Sequence, residues 1–381
     1  MKKISRQALL AAGTLGTALL VSGCKRQQKV ATAVKPPAPS GISQQVLDKF
    51  RPDETGAVMV IMYHRFLSME PDSDLNRRPD TFRKDLETFY KKGYYPVNAI
   101  DFVEDKMDVP AGKTPIVLTF DDALPSQFAV MPNASGEPKI DPNCAVGIME
   151  TFNKTHPDWP LRGTFFVLPH EGRNGFTFGQ ADYTADKLNY LLTKGYEVGN
   201  HTSTHSAMRG MDATKVQWEL GTAVHDITAI NKNVTMNVMA IPYGVPPRDK
   251  TARAKLMSGT SNGTSYANKA IFLAAWRPDL SPITKAESRY TNAGHFAEFD
   301  VKGLERITPN AKKPNEPGVL EYWLKYFDEH PRDRYISDGD ATIAAVPNAR
   351  KSAVDAQRVK ALGVTVQYYG ASKGGGKLSV G

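Results

Sequence analysis

Residues 57–63 read Ala-Val-Met-Val-Ile-Met-Tyr, apolar without a break, and a second run, Ile116-Val117-Leu118, leads into Thr119-Phe120-Asp121-Asp122. A strand with one solvated face alternates polar and apolar residues. An unbroken apolar run is a strand covered on both faces, as in a parallel sheet flanked by helices. The intervening segments supply such helices. Phe82, Leu86, Phe89 and Tyr90 recur at helical spacing over 79–92, with Thr81 as the expected N-cap and Gly93 as the stop. Residues 144–156, 184–194, 212–231 and 320–327 read as further helices. Strands are expected at 163–168, 196–200, 238–241 and 271–276, and short ones at 304–307 and 334–337. Strands alternating with helices imply an α/β fold with a mostly parallel sheet, and seven or eight such units suggest a barrel-like arrangement rather than an open sheet.

The first residues belong to a different class. Lys2, Lys3 and Arg6 precede an apolar stretch from Ala8 to Val21, too short to span a bilayer comfortably. It ends in Val21-Ser22-Gly23-Cys24, which resembles a bacterial lipobox. In such proteins the cysteine is lipidated and begins the mature chain; an ordinary signal peptide containing a cysteine is the alternative. Residues 1–23 are therefore expected to be a leader and Cys24 the lipidation site. Residues 24–50, with Pro36, Pro37 and Pro39, are expected to form a flexible tether. Residues 51–372 would be the barrel and 373–381 a disordered tail. This places the protein in the bacterial cell envelope, anchored to the membrane and facing the periplasm or exterior. The only other cysteine, Cys144, is then unpaired and reads as a small buried hydrophobe. The formal charge is +8. No Lys/Arg run with interleaved aromatics accompanies it, which argues against nucleic acid. The oligomeric state is not legible.

Two cysteines cannot build a metal site, so any metal must use histidine and carboxylate. Asp121 and Asp122 are adjacent at a strand end. Successive strand residues face opposite ways, so one can bind a metal while the other handles a proton; a plain strand cap is the alternative. Asn200-His201-Thr202-Ser203-Thr204-His205 also follows a strand directly. If helical, it would carry both imidazoles on one face. In a parallel barrel all strand C-termini meet on one rim. Asp122, His201 and His205 would then be the three protein ligands of an open catalytic site. His64 also ends a strand and either approaches the site or is structural. The Pro-, Gly- and Asn-rich stretch 132–143 follows a strand's carboxyl end and is a candidate substrate lid.

Ile241-Pro242-Tyr243-Gly244 ends the next strand. Thr-Phe-Asp-Asp, then His-Thr-Ser-Thr-His, then Pro-Tyr-Gly together resemble the polysaccharide deacetylases with a NodB-homology domain, carbohydrate esterase family 4. The resemblance covers roughly residues 57–345. It implies a distorted (β/α) barrel of about seven strands, of the NodB-homology type, and a divalent metal, most commonly zinc, held by Asp122, His201 and His205. It implies Asp121 as general base, and Pro242 and Tyr243 lining the substrate, with the Tyr243 N–H on the oxyanion. The reaction implied is removal of N-acetyl groups from amino sugars of a polysaccharide such as peptidoglycan or poly-N-acetylglucosamine. Two positions depart from the pattern. The arginine that normally stands two residues before the Pro of the third motif is Ala240, and Arg248 and Arg277 are the candidates to replace it. The late Leu-X-His motif, which supplies the general acid, has no clear counterpart. His295 is the candidate, while His330 reads as a helix C-terminal complement. A barrel amidohydrolase acting on another C–N bond, and a non-catalytic sugar-binding relative, stay open.

Overall fold

The computed structural model describes residues 41–169, 177–274, 276–285, 301–310 and 314–371. The chain runs through helix α1 (Gln44–Phe50), strand β1 (Ala57–Tyr63), α2 (Pro79–Lys91), β2 (Tyr94–Val97), α3 (Ala99–Val103) and β3 (Thr114–Asp121). A short hairpin, β4 (Val130–Pro132) and β5 (Pro138–Ile140), precedes α4 (Ala145–Thr155), β6 (Thr164–Val167), α5 (Thr184–Lys194) and β7 (Glu197–Asn200). Then come α6 (Ala213–Ile230), β8 (Val238–Ala240), α7 (Lys250–Ala254), the hairpin β9 (Ser258–Ser261) and β10 (Thr264–Ala267), β11 (Ala270–Phe272) and β12 (Asp279–Leu280). The chain ends in α8 (Leu320–Glu329), β13 (Ile343–Pro347), α9 (Ala356–Leu362) and β14 (Thr365–Tyr369).

The main sheet has the order β11-β8-β7-β6-β3-β1-β12, with β2 alongside the first half of β3. All pairings are parallel except that of β12 with β1. This is the curled half-barrel expected of the NodB type. Residues 304–307 stand across the gap. Leu304 bridges Phe272 of β11, and Ile307 bridges Ile61 of β1, both in parallel. Residues 334–336 bridge Ala57 and Asp53 in the same fragmentary way. The apolar runs are buried because both faces are covered: every residue of β1 and β3 is buried. One layer of the core is aromatic, with Phe120 stacked on Phe165 at 4.5 Å and on Tyr63 at 5.8 Å.

Three expectations are corrected. Helix α1 lies within 24–50, with Leu47 buried and Ile42 bonded through both backbone groups to Gln367, so ordered chain begins ahead of residue 51. The N-cap of α2 is Arg78, because Pro79 takes the first helical position, where its missing N–H costs nothing. Residues 132–143 are no lid over the cavity described below. The β4–β5 hairpin is tied at Val130 to Gln180 by two 2.8 Å hydrogen bonds, and none of the described cavity residues comes from it.

At the opposite end of the barrel, ahead of β1, lie three buried acids, Glu54, Asp105 and Asp338. The Asp338 N–H donates to Glu54 Oε1 at 3.0 Å. Burial, then the neighbouring Asp338, pushes the Asp105 carboxyl up to about 7. Burial likewise raises Asp338 to about 6. The folded state thus holds protons that the unfolded chain releases near pH 4. Stability supplied by the protonated forms is full below that pH and is lost as pH rises through about 6 to 7. Asp105→Asn should therefore raise the melting temperature at pH 8 and leave it unchanged at pH 4. Asn also tolerates the left-handed backbone there, φ 53°. A melting-temperature series across pH checks this; an equal shift at both ends would contradict it.

Candidate active site

The C-termini of the parallel strands converge on a cavity of about 600 Å³. Its wall includes His64 after β1, Asp121 and Asp122 at the end of β3, His201 and His205 after β7, and Tyr243 after β8. The two carboxylates reach the same cavity, contrary to the alternation expected of a strand. Asp122 and Ala123 leave β3 with φ of 80° and 49°, which turns the chain at once. Asp accepts this left-handed backbone more readily than most residues.

The histidine pair meets without a helix. Residues 201–207 are loop, with Thr202 and His205 at φ 70° and 55°. Buried Glu219 of α6 accepts from the N–H groups of Ser203 and Thr204 at 3.2 and 3.0 Å and from the Thr204 hydroxyl at 2.7 Å. Charge-assisted bonds of this kind are stronger than neutral ones, and they hold the loop against α6. Neither Glu219 nor this role stood out in the sequence.

His201 donates from Nδ1 to the Ala240 carbonyl at 2.9 Å, which leaves the Nε2 lone pair aimed inward. His201 Nε2 lies 3.3 Å and His205 Nε2 3.0 Å from Asp122 Oδ1. That oxygen is buried and makes no hydrogen bond of acceptable geometry. One atom from each of the three residues falls within 4.8 Å of the others. Three convergent donor atoms, one of them a buried oxygen without a hydrogen bond, fit a divalent cation and leave coordination positions open on the cavity side.

Arg306, on the segment that bridges β11 and β1, is 1% exposed and clamps Asp121. Nη1 lies 2.6 Å from Oδ1 and Nη2 2.8 Å from Oδ2, a bidentate pair, while Nε donates to the Leu273 carbonyl at 2.7 Å. Burial raises the Asp121 carboxyl, but the Arg306 charge beside it, then His201, brings it below its ordinary value. The missing cation at Ala240 is thus replaced from 66 residues downstream of that position, and not by Arg248 or Arg277; Arg277 instead lies 3.9 Å from Glu305. Arg306 was missed because an isolated Arg in Glu-Arg-Ile-Thr carries no motif. Its only signal was its place in a short apolar segment.

His64 lines the cavity, with Nδ1 buried and without a hydrogen-bond partner. Burial lowers its pKa. Tyr243 adopts φ 61° in the Pro-Tyr-Gly turn, its ring against His205 at 4.9 Å. Among the described residues no carbonyl accepts from the Tyr243 N–H. His295 and Cys24 lie outside the described residues.

Residues 108–259 match the family model for polysaccharide deacetylase. The matched segment is 152 of the chain's 381 residues. It contains both acidic residues, both histidines and the Pro-Tyr-Gly turn; Arg306 and His64 lie outside it. Solved structures similar to the chain include a Streptococcus pyogenes deacetylase, PplD, in complex with acetate (17% identity, covering 66% of this chain and 91% of that one, TM-score 0.45). Others are IcaB from Ammonifex degensii (16%, 71% and 97%, TM-score 0.41) and a de-N-acetylase from Aggregatibacter actinomycetemcomitans (13%, 70% and 98%, TM-score 0.41). No curated protein matches the chain. Deacetylases of this family are hydrolases and, in general, depend on a divalent metal. Among the described residues no helix is long and apolar enough to cross a membrane.

Proposed function

We propose that the chain is a metal-dependent hydrolase that removes N-acetyl groups from amino sugars of an extracytoplasmic polysaccharide, with Asp121 as general base. The observation that carries this is the buried Asp121–Arg306 pair standing beside the open Asp122, His201 and His205 set. A divalent cation, zinc being the commonest choice, would polarise the acetamide carbonyl and acidify a water there. Asp121 stays ionised near neutral pH and is held in one orientation by Arg306. It has lone pairs left to accept the water's proton. The Tyr243 N–H, without a backbone acceptor among the described residues, can donate to the oxygen on which charge develops. The deacetylated sugar leaves as an amine and needs a proton. His64 is our assignment for relaying it from Asp121, since its neutral imidazole can accept at one nitrogen and donate at the other. Lipidation at Cys24 would hold the domain near an envelope polymer.

Chelation should abolish acetate release from N-acetylglucosamine oligomers, and added zinc should restore it; activity that survives chelation would sink the proposal. The relay has a separate check. An amine must be protonated to leave, whereas an aryl alkoxide need not be. His64→Gln should lose about 10²-fold or more on an acetamide and keep most of its activity on 4-nitrophenyl acetate. Equal losses on both substrates would remove His64 from that role, and the same pair of assays on His295→Gln would show whether the proton comes from there.

A further inference from the structure

Helix α1 and the last elements of the chain, β13, α9 and β14, form a face at the end of the barrel opposite the catalytic cavity. They meet just ahead of β1, which runs from there to His64 at the cavity. The Tyr369 hydroxyl donates to the Pro52 carbonyl at 2.7 Å, and the Glu54 N–H donates to the Ala345 carbonyl at 3.2 Å. The Ile42 N–H donates to Gln367 Oε1 at 2.6 Å, and Gln367 Nε2 donates back to the Ile42 carbonyl at 3.0 Å. Residues 343–371 carry Arg350, Lys351, Arg358 and Lys360 against a single acid, Asp355. A cleft of about 510 Å³ opens on this face, lined by Arg51, Arg332, Asn348 and Tyr369 among others. Both of these arginines are exposed, and among the described residues neither guanidinium has a hydrogen bond or an ion pair. The charges around them are matched. Arg350 lies 3.6 Å from Asp53 and 3.9 Å from Asp333, and Asp48 in the cleft accepts from Gln44 Nε2 at 2.8 Å. Burial, then Asp53, pushes the Tyr369 hydroxyl up to about 12, and the charges of Arg332 and Arg51 both oppose it, so both stand near one phenol. Two guanidiniums drawn together without a counter-ion form a surface open to phosphate oxygens.

From this we infer that this face docks on the phosphate headgroups of an anionic membrane, with Arg51 and Arg332 as its central contacts, and thereby points the catalytic cavity away from the lipid. The inference rests on the proposed anchoring through Cys24. Gly41 follows Cys24 by 17 residues, at most about 60 Å of extended chain. That chain joins the fold on this face, where Ile42 is clamped to β14. A tether attached here lets the face lie on the bilayer without wrapping around the domain. The attraction of an anionic leaflet fades within about 8 Å at physiological salt, so only the charges of the docked face contribute. Each Lys or Arg that reaches the surface strengthens attachment about fivefold. The cavity, at the far end of the parallel strands, then faces the polymer.

The test measures partition of the full chain, made without lipid on Cys24, onto vesicles of phosphatidylcholine alone and of phosphatidylcholine with about a third phosphatidylglycerol. The parent should favour the anionic vesicles at about 0.1 M salt. Arg51→Gln and Arg332→Gln should each lower that preference about fivefold, and the double variant about 25-fold. The pair Arg51→Lys and Arg332→Lys should keep most of it, because a membrane surface reads charge. Lys2, Lys3 and Arg6 of the leader are common to every chain, so the differences report the face. No preference in the parent, or one unchanged in the double glutamine variant, overturns the inference. A preference lost equally in the lysine pair overturns it too; displacement of the parent by millimolar inorganic phosphate at constant ionic strength would then identify a pocket for a single phosphate. The anchor is read separately, from the mass of the Cys24 peptide in envelope-extracted protein. An unmodified Cys24 removes the anchor, while the vesicle result, taken without lipid, still decides the face.

Discussion

Asp121→Asn lowers the rate of acetate release by about 10²–10⁴-fold while zinc remains bound. The amide keeps the shape of the carboxylate and can still accept one hydrogen bond from Arg306, but it cannot take a proton. The ligand atoms of Asp122, His201 and His205 are untouched. Zinc content measured on the same sample as the rate separates the two roles. Loss of metal together with the rate would move Asp121 into the ligand set. A rate within a few-fold of the parent would remove the base assignment altogether.

Arg306→Ala has the second large effect, and it acts on both stability and rate. It leaves Asp121, 2% exposed, without the partner that offsets its burial. Breaking a buried pair from one side costs about 3–5 kcal/mol. The loss depends on pH. In the parent the Asp121 carboxyl is held below its ordinary value, so the pair's contribution is present above pH about 4 and disappears as pH falls through the lowered pKa. The stability gap between parent and variant should therefore be largest at neutral pH and close in acid. In catalysis the same change lets burial raise the Asp121 pKa, so the acidic limb of the rate profile moves to higher pH. Arg306→Lys should recover part of the stability and little of the orientation, since an ammonium cannot hold both carboxylate oxygens in a planar fork. Denaturant unfolding at two pH values and a pH–rate profile measure all of this. A variant as stable as the parent at pH 7, with an unmoved acidic limb, would show that the ion pair does neither job.

Strands and helices with strong periodicity were legible because their apolar residues are buried by the fold itself. β1, β3, α5 and α6 fall within a residue or two of the sequence reading. So was the assembly of Asp122, His201 and His205, because each sits where a parallel strand ends, and those ends meet. The route by which they meet was not legible. It depends on left-handed residues at Asp122, Thr202 and His205 and on buried Glu219, and single residues give no periodic signal. The lid was misread for a related reason: a polar, Pro-rich stretch marks a loop but not the direction in which it folds. The cavity wall comes instead from the loop after β1, where Arg65, Asp74 and Leu75 line the opening. Asn76 staples that loop, donating to the carbonyls of Leu67 and Glu70 at 3.1 Å each and to that of Pro71 at 3.3 Å. Arg306 was hidden most completely, since its partner lies 185 residues away.

The most direct measurement of the central claim is the stoichiometry of product formation on a polymer. The full metal-loaded chain would be incubated with peptidoglycan and with poly-N-acetylglucosamine, and released acetate and new primary amines counted together. One free amine per acetate, absent in Asp121→Asn, is the result expected of an N-deacetylase built on this site. New amines without acetate would mean that a different carbon–nitrogen bond is cut. No product from either polymer by a protein that binds both would contradict the catalytic account and leave a sugar-binding relative.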